Sequence, residues 1–370
     1  MGPVRDVPPV TGLPAATTQE PAADVPPAPQ VVGAGATRAR MEWMDTLRGL
    51  AILLMLLWHA TAVPQIYGIE MPAALVAVND ALLPFRMPTL MFLSGLLLPR
   101  SLSKPLGTYL RGKVALIWWP YFLWVVLYLV MSGTQTPLWH PKLYIAKGYL
   151  WYLFFLGVYY AVAPLLRRVP TAVVCVALLA ASFVVDDPLV HRLLYFAVFF
   201  FLGAWVAEHG GDVVGRVGRS RVLVVALAAL ALALAVASAL VDLRYVSLTV
   251  PGSVAGIVVA ILAARRLPSA RTAGLRFVGR NSIVFYVAHF PVMQLAAMWL
   301  GGLGAPWWVA LGVLLGAGLA VTWPLAVHRD ARALRWLFEM PGVAVRRRSP
   351  APTTSPVPAP AAPAAVTTLG

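Results

Sequence analysis

Ten stretches of about 18 to 20 mostly apolar residues recur along the chain, each long enough to cross about 30 Å of hydrocarbon as an α-helix. They fall near 45–63, 80–98, 114–131, 148–166, 170–186, 189–207, 222–241, 246–264, 281–300 and 306–327. Apolar residues make up 60% of the sequence and charged residues only 12%, whereas a soluble domain carries about 25% charged residues. A backbone in lipid must satisfy its own polar groups, so the pattern predicts an all-α integral membrane protein of about ten transmembrane helices. No long extramembrane domain is left, and any chemistry must be built from helices and short loops.

The net charge of +15 does not read as a nucleic-acid footprint, because the Lys and Arg residues cluster between apolar runs and form no basic, aromatic-interleaved face. Of the 29 Lys and Arg residues, 22 lie in alternate segments (38–40, 99–113, 167–168, 208–221, 265–280 and 329–348), against four in the opposite loops, Lys142, Lys147, Arg192 and Arg244. Cytoplasmic loops carry the positive excess, so both termini are expected in the cytoplasm of a multi-pass cell-membrane protein. Residues 1–40 and 349–370 are rich in Pro and Ala and read as disordered tails, the first without the apolar core of a signal peptide. They flank a membrane domain over 41–328 and a basic juxtamembrane segment over 329–348. The single cysteine, Cys175, sits in an apolar run and reads as a small buried hydrophobe.

The first span opens Asp45-Thr46-Leu47-Arg48-Gly49 and reaches Trp58-His59. Eleven residues at about 100° each bring Arg48 and His59 onto one helical stripe, about 16 Å apart along the axis. Asp45 falls near the same stripe, and His59 is expected near mid-depth. An imidazole there must face protein or a watery cavity, and such residues commonly mark pathways or catalytic sites. Two plainer roles also fit: Arg48 as a topology anchor and His59 as a hydrogen-bonded packing residue.

The second span contains Pro84-Phe85-Arg86-Met87-Pro88 and then Phe92-Leu93-Ser94-Gly95. Two prolines four apart predict a broken helix, tolerated at that depth only where protein or a cavity covers it. Arg86 fits a cavity residue or an arginine snorkelling to the outer interface. The ninth span opens Gly279-Arg280-Asn281-Ser282 and carries Tyr286 and His289, with Ser282 and His289 on one face. His59 and His289 could thus line one cavity or form a structural pair. Trp118-Trp119-Pro120-Tyr121 and Trp151-Tyr152 read as interfacial belts. No metal-ligand spacing, phosphate-cradling glycine loop or serine elbow is present. Buried ionisable residues and a broken helix also suit a proton-coupled secondary transporter, although the two halves show no convincing inverted repeat.

Asp45-Thr46-Leu47-Arg48-Gly49 followed by His59 resembles the Arg-x10-His signature of the membrane acyltransferase type 3 family. Arg86-Met87-Pro88 through Ser94-Gly95, Leu150-Trp151-Tyr152-Leu153, and Gly279-Arg280-Asn281-Ser282 through His289 extend the resemblance over residues 41 to about 328. It implies transfer of an acyl group, often acetyl, from cytoplasmic acyl-CoA to a hydroxyl of a sugar, glycolipid or cell-envelope glycan, with no bound cofactor or metal. It associates Arg48 with the acyl donor and His59 with catalysis, and marks Asp45, Arg86, Ser94, Ser282 and His289 as substrate-binding candidates. Tyr149 stands where many relatives have His, and the basic pair common after the second span appears only as Arg111 and Lys113.

Overall fold

A computed structural model of the chain describes residue 2, residues 33–209 and residues 212–343, with side chains from residue 42 onward. The expected tails lie outside the described residues, apart from Gly2 and the backbone of residues 33–40, where the first helix begins. The contacts below all lie within the unit from Met41 onward.

The described residues are helical, without strands, and all ten apolar stretches coincide with helices. They are α1 (Gly33–Ile66), α2 (Ala73–Gly95), α3 (Leu106–Met131), α4 (Gly148–Val162), α5 (Thr171–Ala181), α6 (Pro188–Glu208), α7 (Arg221–Leu240), α8 (Ser247–Arg266), α9 (Ser282–Gly302) and α10 (Trp307–Val327). Eight of them are long and apolar enough to cross a membrane, while α4 and α5 are shorter than the apolar runs suggested. Downstream of α5, Asp187 caps α6, its carboxylate accepting from Val190 N at 2.8 Å, so the chain turns there rather than extending the preceding helix. The main packed pairs are α9 with α10, α2 with α6 and α7, α5 with α6, and α7 with α8. Helix α2 is the most enclosed span, and α7 presents Leu and Val outward, as a lipid-facing helix should.

The expected break in α2 does not occur: the helix runs unbroken from Ala73 to Gly95 with Pro84 and Pro88 inside it. Its neighbours supply the reason. Pro84 has no N–H to offer the carbonyl four residues back, Asp80 O, and the Ser238 hydroxyl of α7 donates to that oxygen at 2.7 Å. Helix α9 repeats the device. Pro291 orphans Val287 O, and the Tyr149 hydroxyl donates to it at 2.8 Å.

Two glycines of the α1 and α9 motifs let backbones touch. A Cβ on Gly49 would collide with Leu275 O, and one on Gly279 with Asp45 O, so the short helix Ala273–Arg280 lies directly against the start of α1. This contact fixes the entry to α9 relative to Arg48. At the other end of the sequence, residues 329–343 fold back on α3, a helix with a π-helical stretch at Val114–Trp118. In that register Ala115 O would look to Pro120 for a donor, and Met340 N supplies one at 3.0 Å. Trp119 Nε1 donates to Trp336 O at 2.7 Å and Trp124 Nε1 to Leu337 O at 2.9 Å. Trp119 therefore holds a chain segment as well as suiting an interfacial belt.

Candidate functional site

His59 and His289 meet inside the bundle, with His289 Nε2 and His59 Nδ1 3.1 Å apart. The rest of their bonding decides where the protons sit. His289 Nδ1 lies 2.8 Å from Phe285 O, an oxygen that can only accept, so His289 carries its proton on Nδ1. With both rings neutral, its Nε2 is an acceptor. His59 Nδ1, 3.1 Å from both this nitrogen and Met55 O, must then be the donor. That leaves the Nε2 lone pair of His59 uncommitted. The edge-on rings of Trp58 (4.7 Å) and Phe290 (5.2 Å) hold the imidazole in place.

His59 lines a cavity of about 370 Å³. Its walls are largely aromatic, with Trp58, Tyr128, Tyr149, Trp151, Tyr245 and Phe290, and its charged residues are Arg86, Arg192 and Arg244. Arg86 is 5% exposed and stands over the Trp58 ring at 5.3 Å, while Arg192 stacks on Trp151 at 3.7 Å and faces Tyr245 at 4.7 Å. Tyr149 lies flat on Phe290 at 4.4 Å and edge-on to His289 at 5.8 Å, so it packs directly against the histidine pair.

A second cavity, of about 380 Å³, opens at the Arg48 end of α1. Arg48, Lys104 and Lys113 are its cations, and Ser94, Tyr109, Tyr152, Tyr160 and Ser282 add hydroxyls. No ion pair among the described residues occupies Arg48. Lys113 Nζ sits 3.3 Å above the Tyr160 ring, and Ser94 Oγ bonds Leu90 O at 2.8 Å and faces Tyr152 Oη at 3.2 Å. Tyr286 lines both cavities, with its hydroxyl donating to Tyr149 O at 2.6 Å and its ring 5.4 Å from Tyr152. The changeover along α1 falls between Ile52, on the Arg48 side, and Met55, on the His59 side.

The sequence candidates are thus divided. Arg48, Ser94 and Ser282 share one cavity, and His59 and Arg86 share the other. His289 is fully buried and lines neither, so the expectation of two imidazoles on one cavity wall gives way to one on the wall with the other behind it. Asp45 also lines neither and sits beside Arg48 at the crossing with Gly279. The sequence reading missed Lys104 as a site residue, and it missed Arg192 and Arg244, which served there only as topology charges. It also did not single out Tyr286 as the wall between cavities, although the residue was noted. Among the described residues, no group of His, Cys, Asp and Glu is placed to hold a metal ion.

No curated protein and no solved structure matched the chain. A family model described as an acyltransferase domain matches residues 41–327, the whole helical bundle that carries both cavities and the paired histidines. The chain therefore belongs to the acyltransferase 3 family and is a membrane acyltransferase.

Proposed function

We propose that the protein moves an acyl group, acetyl in the simplest case, from cytoplasmic acyl-CoA to a hydroxyl of a sugar, glycolipid or cell-envelope glycan. The observation that carries this reading is the locked His59 ring, whose uncommitted Nε2 belongs to a cavity that meets a second, basic cavity at Tyr286.

The charge split along the sequence supports a cytoplasmic side for the Arg48 cavity and both termini, in a cell-membrane protein. Arg48, Lys104 and Lys113 would hold the phosphates of CoA, the arginine through its planar fork. Ser94 and Ser282 would bond the pantetheine arm, and Asp45, beside Arg48, would help to orient it. The thioester then reaches the Tyr286 wall. From the other cavity an acceptor hydroxyl gives its proton to His59 Nε2 as its oxygen attacks the thioester carbonyl. The C–S bond breaks, and the leaving CoA thiolate takes up the proton that His59 gives back, which restores the neutral imidazole. Imidazole suits this base role because its neutral form offers an unprotonated ring nitrogen that can take the proton.

The test uses purified protein in proteoliposomes, acyl-labelled acetyl-CoA and a glycan or glycolipid extract as acceptor. His59→Gln keeps size and hydrogen bonding but cannot take a proton at neutral pH. Label transfer should fall about 10²- to 10⁴-fold with donor binding intact. Transfer at the wild-type rate by the glutamine variant would remove His59 from the chemistry.

A further inference from the structure

The His59 cavity carries more positive charge than its own protein groups answer. No carboxylate lines it among the described residues. Arg244 is served from its edge, by Asp242 at 3.3 Å and Asp80 at 3.9 Å, with its side chain 53% exposed. Arg86 and Arg192 have no such partner among the ion pairs of the described residues, and each has a buried nitrogen, Arg86 Nη1 and Arg192 Nε, with no hydrogen-bond acceptor. Stacking on Trp58 and Trp151 satisfies the faces of these guanidiniums but not their N–H edges. A guanidinium held this deep with an unanswered N–H is costly unless an anion completes it. The arginines come from three separate places in the chain, α2, α6 and the loop before α8, and their convergence has no role in transmembrane topology.

We infer that this cavity binds an acceptor bearing an oxyanion, an acidic saccharide whose carboxylate or phosphate is taken by Arg86 and Arg192. The inference rests on the reading of the His59 cavity as the acceptor side. The aromatic walls of Trp58, Trp151, Tyr245 and Phe290 supply flat apolar faces for a sugar ring, and the planar guanidinium fork matches either oxyanion. Anchoring the charged group on the arginines sets a ring hydroxyl toward His59 Nε2. A cavity of about 370 Å³ accommodates one such residue of a longer glycan.

The decisive measurement is equilibrium binding, without acyl-CoA, to the full-length protein in phosphatidylcholine nanodiscs. The labelled probes are methyl glucuronide, methyl glucoside 6-phosphate and neutral methyl glucoside. At least one charged probe should bind about ten-fold or more tightly than the neutral one, the preferred probe naming the oxyanion. Arg86→Gln should remove that advantage, and Arg86→Lys should keep part of it. Arg192→Gln, at a less buried position, repeats the test if Arg86→Gln does not fold. Equal binding of all three probes would overturn the inference, as would an unchanged advantage in both glutamine variants. So would loss of sugar binding in phosphatidylglycerol nanodiscs, because the cavity would then be a lipid-headgroup site. The base assignment is judged separately by His59→Gln: charged-probe binding that depends on Arg86 stands even where acyl transfer does not depend on His59, and the converse result spares the enzyme reading.

Discussion

His289 Nε2 stands 3.1 Å from His59 Nδ1, on the far side of the imidazole from the ring position left to work in the cavity. Because Phe285 O fixes the proton of His289 on Nδ1, the pair has a direction: His289 accepts, His59 donates, and the uncommitted lone pair is on His59 Nε2. When His59 takes a proton its Nδ1–H bond to His289 becomes charge-assisted and strengthens. On the proposed mechanism His289 acts through His59, as a positioning residue.

Replacing His289 with Leu removes this acceptor but leaves Met55 O, so the tautomer is weakened and not lost. The kcat for acyl transfer should fall about 10- to 100-fold, the scale seen for partners that orient metal-bound histidines, with the donor KM unchanged. His289→Gln offers a carbonyl acceptor and should recover part of the loss. A leucine variant that changes KM and kcat together would mark His289 as packing only.

The prolines in α2 make a test of stability independent of function. Ser238→Ala strips the donor from Asp80 O and should cost about 1 kcal/mol, since the carbonyl left unanswered is partly buried. Pro84→Ala restores an N–H four residues along and should make the serine dispensable. A double-mutant cycle on thermal unfolding in detergent reads the coupling, and additive losses would show that Ser238 does not serve the proline's gap.

The sequence marked Arg48, His59, Ser94, Ser282 and His289 as candidates because polar residues in apolar runs, and the short motifs that hold them, are local signals. Whether two of them share a cavity was not. Arg48 and His59 lie on one stripe, yet Tyr286 of α9 divides the space between them, which depends on how α9 crosses α1. Arg192 and Arg244 gave no local sign of a site, since a lone arginine at a span end also fits a side chain that simply reaches out to the interface. The unbroken α2 was hidden for a similar reason. A proline announces a missing donor, but the hydroxyl that replaces it comes from residue 238.

The segment after α10 gives a third prediction. Ending the chain after residue 343 keeps the acceptors of Trp119 and Trp124, the donor to Ala115 O, and the buried Glu339 paired with Arg335 at 2.8 Å. Ending it after residue 328 removes all of them. The first truncation should unfold near the full-length temperature and the second clearly below it. Equal stability would reduce the docked segment to an ornament of α3.

Arg48 tests the donor cavity. Arg48→Lys keeps charge and loses the fork, so it should raise the KM for acyl-CoA less than Arg48→Ala does, with little change in kcat if the arginine holds ground and transition states alike. Unchanged donor kinetics in the alanine variant would leave Arg48 as an anchor for topology, with Lys104 and Lys113 as the remaining phosphate partners.

Tyr286 is where the two cavities meet, and its two substituents can be tested apart. Its hydroxyl ties the wall to Tyr149 O at 2.6 Å, whereas its ring lines both cavities beside Tyr152. Tyr286→Phe removes only the tie, at a cost of about 1–3 kcal/mol for the unanswered carbonyl, and should leave transfer within about ten-fold of wild type. Tyr286→Ala removes the ring and opens a passage between the cavities. Water that reaches the thioester can then compete with the acceptor hydroxyl for the acyl carbon, since exclusion of water is what protects a reactive group in a closed site. Release of free carboxylate from labelled acyl-CoA without acceptor should therefore rise in the alanine variant while transfer to acceptor falls. The phenylalanine variant, with the wall intact, should show neither change. Equal hydrolysis by wild type and Tyr286→Ala, in a variant that still binds donor, would mean that the ring is not what keeps water from the thioester.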